Sequence, residues 1–303
     1  MAVRTGWEDI YGVCMTAAIG TAGTFAAASH GLDGSAAGNC MIPLLNHPSI
    51  DPGFSIDFGQ KTTGLAQNRY DTGNIYEYTL GKKQPKVSLE MGITEKRLTF
   101  FLWLLFQTGA VQDAVGNQYQ STFSIPVAGG SGPEIYCSVA RSIGITADAD
   151  NHAVHGCIAN QITLSGNSGE RCKMAVDLIG KTFVTNMNLA TTDLTVETSA
   201  TERMIFDYTY SLAGTDITAF LESWTLTVNN NAATKFYGGQ TPTSYILNRF
   251  ATNGSIKMAM SATTVGDNSQ IDAFVSGAQK TFIASRGTTN TAGYQNIKVT
   301  ALY

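Results

Sequence analysis

The sequence predicts a mainly β protein of antiparallel strands, a β-sandwich or split barrel with one or two short helices at its flank. Three observations carry this. Apolar and polar residues alternate with period two over many short segments, as they do where one face of a strand is buried and the other wet. Turn-forming Gly, Asn, Ser and Thr separate those segments, with Gly alone supplying 31 of the 303 residues. Helical spacing is confined to two stretches, one around Leu98–Phe106 and a shorter one around Ile271–Ala278.

The length suits one large or two ordinary domains. Residues 1–50 lack period and read as a leader, or as an arm that orders on a neighbouring subunit; residues 51–303 read as the β domain. A strand–helix–strand pattern recurs at 82–127 and 254–285, which suggests two similar halves, 51–150 and 151–303. The formal net charge of −4 gives no basic excess of the kind that marks a nucleic-acid or membrane-surface binder. The 5 cysteines are odd in number, widely spaced and without a CxxC pair. Free thiols in a reducing compartment are expected. No secretory leader is evident: the small-residue stretch Thr16–Ala28 lacks a strongly apolar core and follows Glu8 and Asp9. The longest apolar run, Leu98–Phe106, falls short of the roughly 17–25 residues of a membrane span. A soluble protein made in the cytoplasm is expected.

In chain order, Phe54, Ile56 and Phe58 alternate with Ser55 and Asp57 as a short strand. Gln60–Asn74 is a long polar loop, and loops of that length are usually functional or disordered. From Lys82 to Ile93, Val87, Leu89, Met91 and Ile93 alternate with Lys86, Ser88 and Glu90. Thr94 then caps a helix from Glu95 to about Thr108, with Gly109 as its stop. Gln118–Val127 and Glu134–Ile143 read as a hairpin around Gly129-Gly130-Ser131-Gly132, followed by a polar connection, Ile145–His155.

The clearest hairpin is Gly156–Asn186. Ile158, Ile162 and Leu164 share one parity of its first strand, and Gly166-Asn167-Ser168-Gly169 makes the turn. In its second strand Cys172, Met174, Val176 and Leu178 alternate with Arg171, Lys173, Ala175 and Asp177. A second hairpin pairs Met204–Leu212 with Phe220–Val228, stopped by Asn229-Asn230-Asn231. Strands at Ser255–Ala262, Lys280–Ala284 and Gln295–Tyr303 complete the chain, with a short helix opened by Asp267, Asn268 or Ser269.

Chemistry-bearing patterns are sparse. Gly180-Lys181-Thr182 has the tail of a phosphate loop, but Ala175 stands where the first glycine belongs and a strand follows where a helix is needed. His152, His155, Cys157 and Cys172 offer zinc-ligand chemistry, although Cys172 lies past the turn on the apolar parity. Asp148 and Asp150 open like a calcium loop that His152 and Ala153 then break. No GxSxG elbow occurs. Tyr208, Tyr210 and Trp224 form an aromatic stripe that stacks sugars on some proteins and is more often core. No enzyme, cofactor or metal is expected.

Three ordered segments, KVSLEMGITEKRLTFFLWLLFQTGA (86–110), VHGCIANQITLSGNSGERCKMAVDLIGK (154–181) and SWTLTVNNNAATKFYGG (223–239), together resemble the tail tube, or major tail, proteins of long-tailed bacteriophages. The resemblance implies a virion structural subunit, assembled in the host cytoplasm, that closes into hexameric or pseudo-hexameric rings. The rings stack into a hollow conduit for DNA ejection, with tape-measure and tail terminator proteins as partners and DNA passing without specific binding. Under it, the polar parity Thr163, Arg171, Lys173 and Asp177 faces the lumen or an adjoining subunit. The loop residues Gln60, Lys61, Arg69, Tyr70 and Asp71 are ring-stacking candidates. The alternative is a β-sandwich that recognises a glycan or receptor on the virion.

Overall fold

The computed structural model describes residues 9–16, 49–58, 78–107, 111–115, 118–122, 135–143, 151–185, 202–259, 279–286 and 295–302. Its strands are β1 (Asp9–Thr16), β2 (Ser49–Asp51), β3 (Phe54–Phe58), β4 (Tyr78–Lys83) and β5 (Lys86–Gly92). After the helix α1 (Glu95–Phe106) come β6 (Val111–Val115), β7 (Gln118–Thr122), β8 (Tyr136–Ile143), β9 (His152–Asn167) and β10 (Lys173–Ile179). Then follow β11 (Thr182–Thr185), β12 (Thr209–Leu212), β13 (Thr215–Asp216), β14 (Leu221–Asn229) and β15 (Ala233–Lys235). The last are β16 (Ser244–Ile246), β17 (Ala251–Met258), β18 (Gln279–Arg286) and β19 (Gln295–Leu302). The fold is mainly β and antiparallel, as the alternation predicts, and α1 is the one α-helix among the described residues.

The sheet is built on β9. On one edge, β9 pairs with β10 through residues 158–165 and with β11 through 152–155. On the other, it pairs with β8 near its start and with β14 through 161–167. β5 and β2 extend the sheet beyond β10, β17 beyond β14, and β1 beyond β8. The segment expected as a leader or arm thus contributes a strand, β1, paired along its length with β8; Val13 and Cys14 are buried there.

The predicted first hairpin is present, but its register carries a bulge. Asp177 pairs with Gln161 and Leu178 with Ala159, so Asn160 is left over. A bulge reverses the facing of what precedes it. Ile158 therefore does not share a face with Ile162 and Leu164, contrary to the parity read from sequence. Ile162 and Leu164 join the large core, while Ile158 packs with Tyr136, Ile179 and Tyr245 in a small cluster on the opposite face. A flap made of β15 and β16 covers that cluster, and Tyr245 Oη donates to the Gly156 carbonyl at 2.7 Å. Gly166 ends in the strand rather than the turn. It lies opposite Trp224, and a Cβ there would stand 2.6 Å from the indole Nε1, so the ring requires glycine.

Two predicted pairings are replaced. Met204–Leu212 does not pair with Phe220–Val228. Ala213 and Gly214 both have positive φ and close a two-residue turn from β12 directly onto β13. β12 also pairs with β18, whereas β14 crosses to β9 and β17. Likewise β7 pairs with β6, while β8 pairs with β1 and β9. Val115 and Gln118 are partners, so Gly116-Asn117 is the connection, a hairpin signal readable in the sequence. The predicted polar connection ends earlier than expected, because His152–His155 is already strand. The 129–132 turn and the short helix near 271–278 lie outside the described residues.

α1 closes the core against the dry side of the sheet. Thr94 Oγ1 accepts from the Arg97 amide at 3.2 Å, as predicted for the cap. Gln107, in the left-handed region at φ 56°, ends the helix before Gly109 is reached. Leu98, Phe101, Leu104 and Leu105 are buried with Val87, Leu89, Met91, Val176 and Ile162. Phe282, on the four-stranded sheet β13-β12-β18-β19, stacks with Tyr210 at 6.0 Å between centroids and meets Trp224 at 5.9 Å. The four-stranded sheet and α1 thus share one core with the nine-stranded sheet.

Candidate functional site: a polar sheet face

β5, β10, β9, β14 and β17 lie side by side, and the register sets their outward residues in rows. One row is Ser88, Asp177, Gln161 and Asn229. The next is Glu90, Ala175, Thr163, Thr227 and Asn253, and the next Gly92, Lys173, Ser165, Thr225 and Ser255. Three of the four sequence-predicted residues, Thr163, Lys173 and Asp177, therefore share one face. Arg171 continues their parity just past the end of β10, where it bridges to Met204.

The polar groups of this face bond largely to one another. Ser88 Oγ donates to Asp177 Oδ1 at 2.5 Å, and Asn229 Nδ2 to Gln161 Oε1 at 3.0 Å. The hydroxyls of Thr163 and Thr227 are 3.1 Å apart, and those of Thr225 and Ser255 2.7 Å. Cross-strand hydroxyl pairs of this kind brace a sheet.

Three cations of this face are matched. Lys173 Nζ lies 3.5 Å from Glu170 and 3.9 Å from Glu90. Lys257 Nζ lies 2.6 Å from Glu222, whose hydrogen bond and charge raise the lysine pKa. Arg171 reaches Glu202 at 2.6 Å, and Glu202 also holds the buried Arg97 of α1 at 3.0 Å. Glu170 is held below the usual carboxylate range, first by the amide of Asn167 and then by Lys173.

Of the residues in these rows, only Thr163, Lys173 and Asp177 are singled out by the sequence. The alternation of Thr225 and Thr227 was legible, but their neighbours were assigned to the wrong strand. Glu202, which ties the hairpin tip to α1, had no local signal at all. Gln60, Lys61, Arg69, Tyr70 and Asp71 lie outside the described residues, in the connection of the β3–β4 hairpin.

The other candidates are used structurally. Gly180-Lys181 links β10 to β11, with the Gly180 amide donating to the Pro85 carbonyl at 2.8 Å. Cys14, Cys137, Cys157 and Cys172 are free and buried, and burial pushes the Cys172 thiol up to about 11. His155 Nδ1 lies 2.8 Å from Ser138 Oγ in the protein interior, and burial lowers its pKa. Among the described residues no group of three or more His, Cys, Asp or Glu is placed to hold a metal ion. Among them also, no helix is long and apolar enough to cross a membrane. Tyr208, Tyr210 and Trp224 are buried, so the stripe that could have stacked sugars is core.

Comparison with known proteins gives one family. A family model described as "Phage tail tube protein" matches residues 13–299. No curated protein matches the chain.

Proposed function

The chain belongs to the phage tail tube protein family, and on that premise we propose that it is the repeating subunit of a hollow tail conduit. Tail tube proteins are structural components of the virion tail, so the chain is read as architecture rather than as an enzyme. Copies associate into hexameric or pseudo-hexameric rings, the rings stack, and the polar face described above lines the lumen. Its partners are then further copies of itself, together with tape-measure and tail terminator proteins.

The observation that carries the lumen assignment is the matched, inward-bonded chemistry of that face. A protein that holds DNA does so by neutralising phosphates with Lys and Arg. Here Arg171, Lys173 and Lys257 are each matched to a carboxylate, and the Thr, Ser, Asn and Gln side chains between them bond across the strands. Such a wall leaves little to retain a passing duplex.

The sheet edge supports assembly. Among the described residues β17 pairs with β14 alone; its eight residues, 251–258, carry no proline, and the one register shift of that ladder falls on the β14 side, between Leu221 and Ser223. Closure of a barrel across neighbouring copies removes such an edge.

Electron microscopy of the purified protein, without ligand or metal, tests the proposal. Rings and tubes are expected. A chain that stays monomeric at high concentration, with β17 covered by its own backbone, would overturn it.

A further inference from the structure

Among the described residues two large apolar side chains stand out from the surface: Phe206 is 70% and Tyr237 66% exposed. They sit at opposite ends of the same strands. Phe206 lies in a single 3-10 turn, Ile205–Asp207, beyond the end of β10 at which Lys173 pairs with Gly92. Tyr237 lies in the flap tip, beyond the other end, at which Ile179 pairs with Lys86. There the Lys83 amide donates to the Gln240 carbonyl at 2.7 Å. Those two ends are about 20 Å apart along the strand.

Both side chains are presented on built local structure. The Phe206 turn is anchored by buried Ile205, whose amide donates to the Glu170 carbonyl at 3.0 Å and whose carbonyl accepts from Tyr210 Oη at 2.9 Å. The Met204 amide donates to Asp207 Oδ2 at 2.8 Å, closing the turn from the other side. A turn whose backbone is fixed in this way has little backbone freedom to lose on contact. At the flap, Phe236 packs beneath Lys82 Nζ at 4.9 Å and leaves Tyr237 outward. Beside it, Gly238 has φ 69°, and a Cβ there would meet nothing within 4 Å. The tip is therefore an aromatic next to bare, open backbone, a shape that accepts the edge of a second ring.

A stacked tube brings opposite ends of successive copies together, because a contact that repeats without closing must be head-to-tail. We infer that Phe206 of one copy packs on the Tyr237-Gly238-Gly239 tip of the copy in the next ring, an aromatic lock between rings. This rests on the tube reading above and names the residues through which stacking occurs. The occupant of each end is a second copy of this chain.

The test uses full-length protein. Phe206→Ser and Tyr237→Ser should each leave the melting temperature unchanged, because both positions are exposed. Each should raise the concentration needed for tube growth, measured by pelleting, by about tenfold, as loss of an aromatic contact implies. In parallel, Phe206→Cys and Tyr237→Cys proteins are assembled separately and as a mixture, then treated with oxidised glutathione. A disulfide-linked dimer in the mixture alone is expected. Normal tube growth by both Ser variants overturns the lock. So does a dimer in Phe206→Cys alone, which would mean a two-fold contact, or no dimer in assembled mixed tubes. Wild-type protein that forms no tubes would instead overturn the tube reading on which the lock rests.

Discussion

Asn230 shows how much one polar residue organises. It is fully buried where β8 leaves β9 and β14 takes over. Its amide donates to the Asn160 carbonyl at 2.7 Å, at the bulge. Its Nδ2 donates to the carbonyls of Leu105 at 3.1 Å and Ala159 at 3.4 Å, so it also caps the end of α1. Its neighbours Asn229 and Asn231 have other tasks, since Asn229 Oδ1 accepts from the Asn231 amide at 2.7 Å and Asn231 takes φ 47°. The sequence marks this triplet as a stop, and it is one. The helix-capping role was not legible, because Leu105 is 125 residues away in the chain. Asn230→Ala leaves buried carbonyls unpaired and should cost about 1–3 kcal/mol. Denaturant titration would show this as a lower midpoint, and an unchanged midpoint would contradict it. His155 supplies a pH dependence at the same scale. Burial lowers its pKa in the folded state, so the unfolded chain binds the proton more readily. Its contribution is then complete above the unfolded value of about 6.5 and is lost as pH falls through the folded pKa. Calorimetry of the wild type should show the melting temperature dropping in that window. His155→Gln should flatten that part of the profile; an equally steep variant would contradict the assignment.

Elements were legible in proportion to how local their causes are. The Thr94 cap, α1 and the alternation of β5 and β10 follow from residues within a few positions of one another. Partner choice does not. The sequence pattern of Thr225 and Thr227 is the same whether β14 lies beside β12 or beside β9, and the two-residue turn at Ala213-Gly214 decides it. The reversal of Ile158 has a similar origin, because the bulge at Asn160 answers a change of neighbour on the far edge of β9. The β3–β4 hairpin frames a prediction of its own. Phe58 pairs with Tyr78, so deletion of Gln60–Asn74 leaves Gly59-Ile75-Tyr76-Glu77 as the connection, long enough to close a hairpin. We propose that this loop reaches the next ring. The deletion should fold and form rings but no long tubes by electron microscopy, and tubes of normal length would refute it.

At the scale of the whole molecule, the chain has more sheet edge than it can cover among its described residues. β17 and β19 each pair on one side only, and the polar face spans five strands. A barrel shared between copies accounts for the edges and the face together. Family membership was legible because three segments retain their order along the chain, and the matched region, 13–299, takes in nearly all of it. What the face meets is a property of the assembly and is not written in any one segment. A cryo-electron microscopy reconstruction of assembled tubes tests it most directly. The Thr163–Thr227 row should point at the tube axis, and β17 should be hydrogen-bonded to a strand of the adjacent copy. Thr163 on the outer surface, or β17 unpaired in the assembled wall, would contradict it.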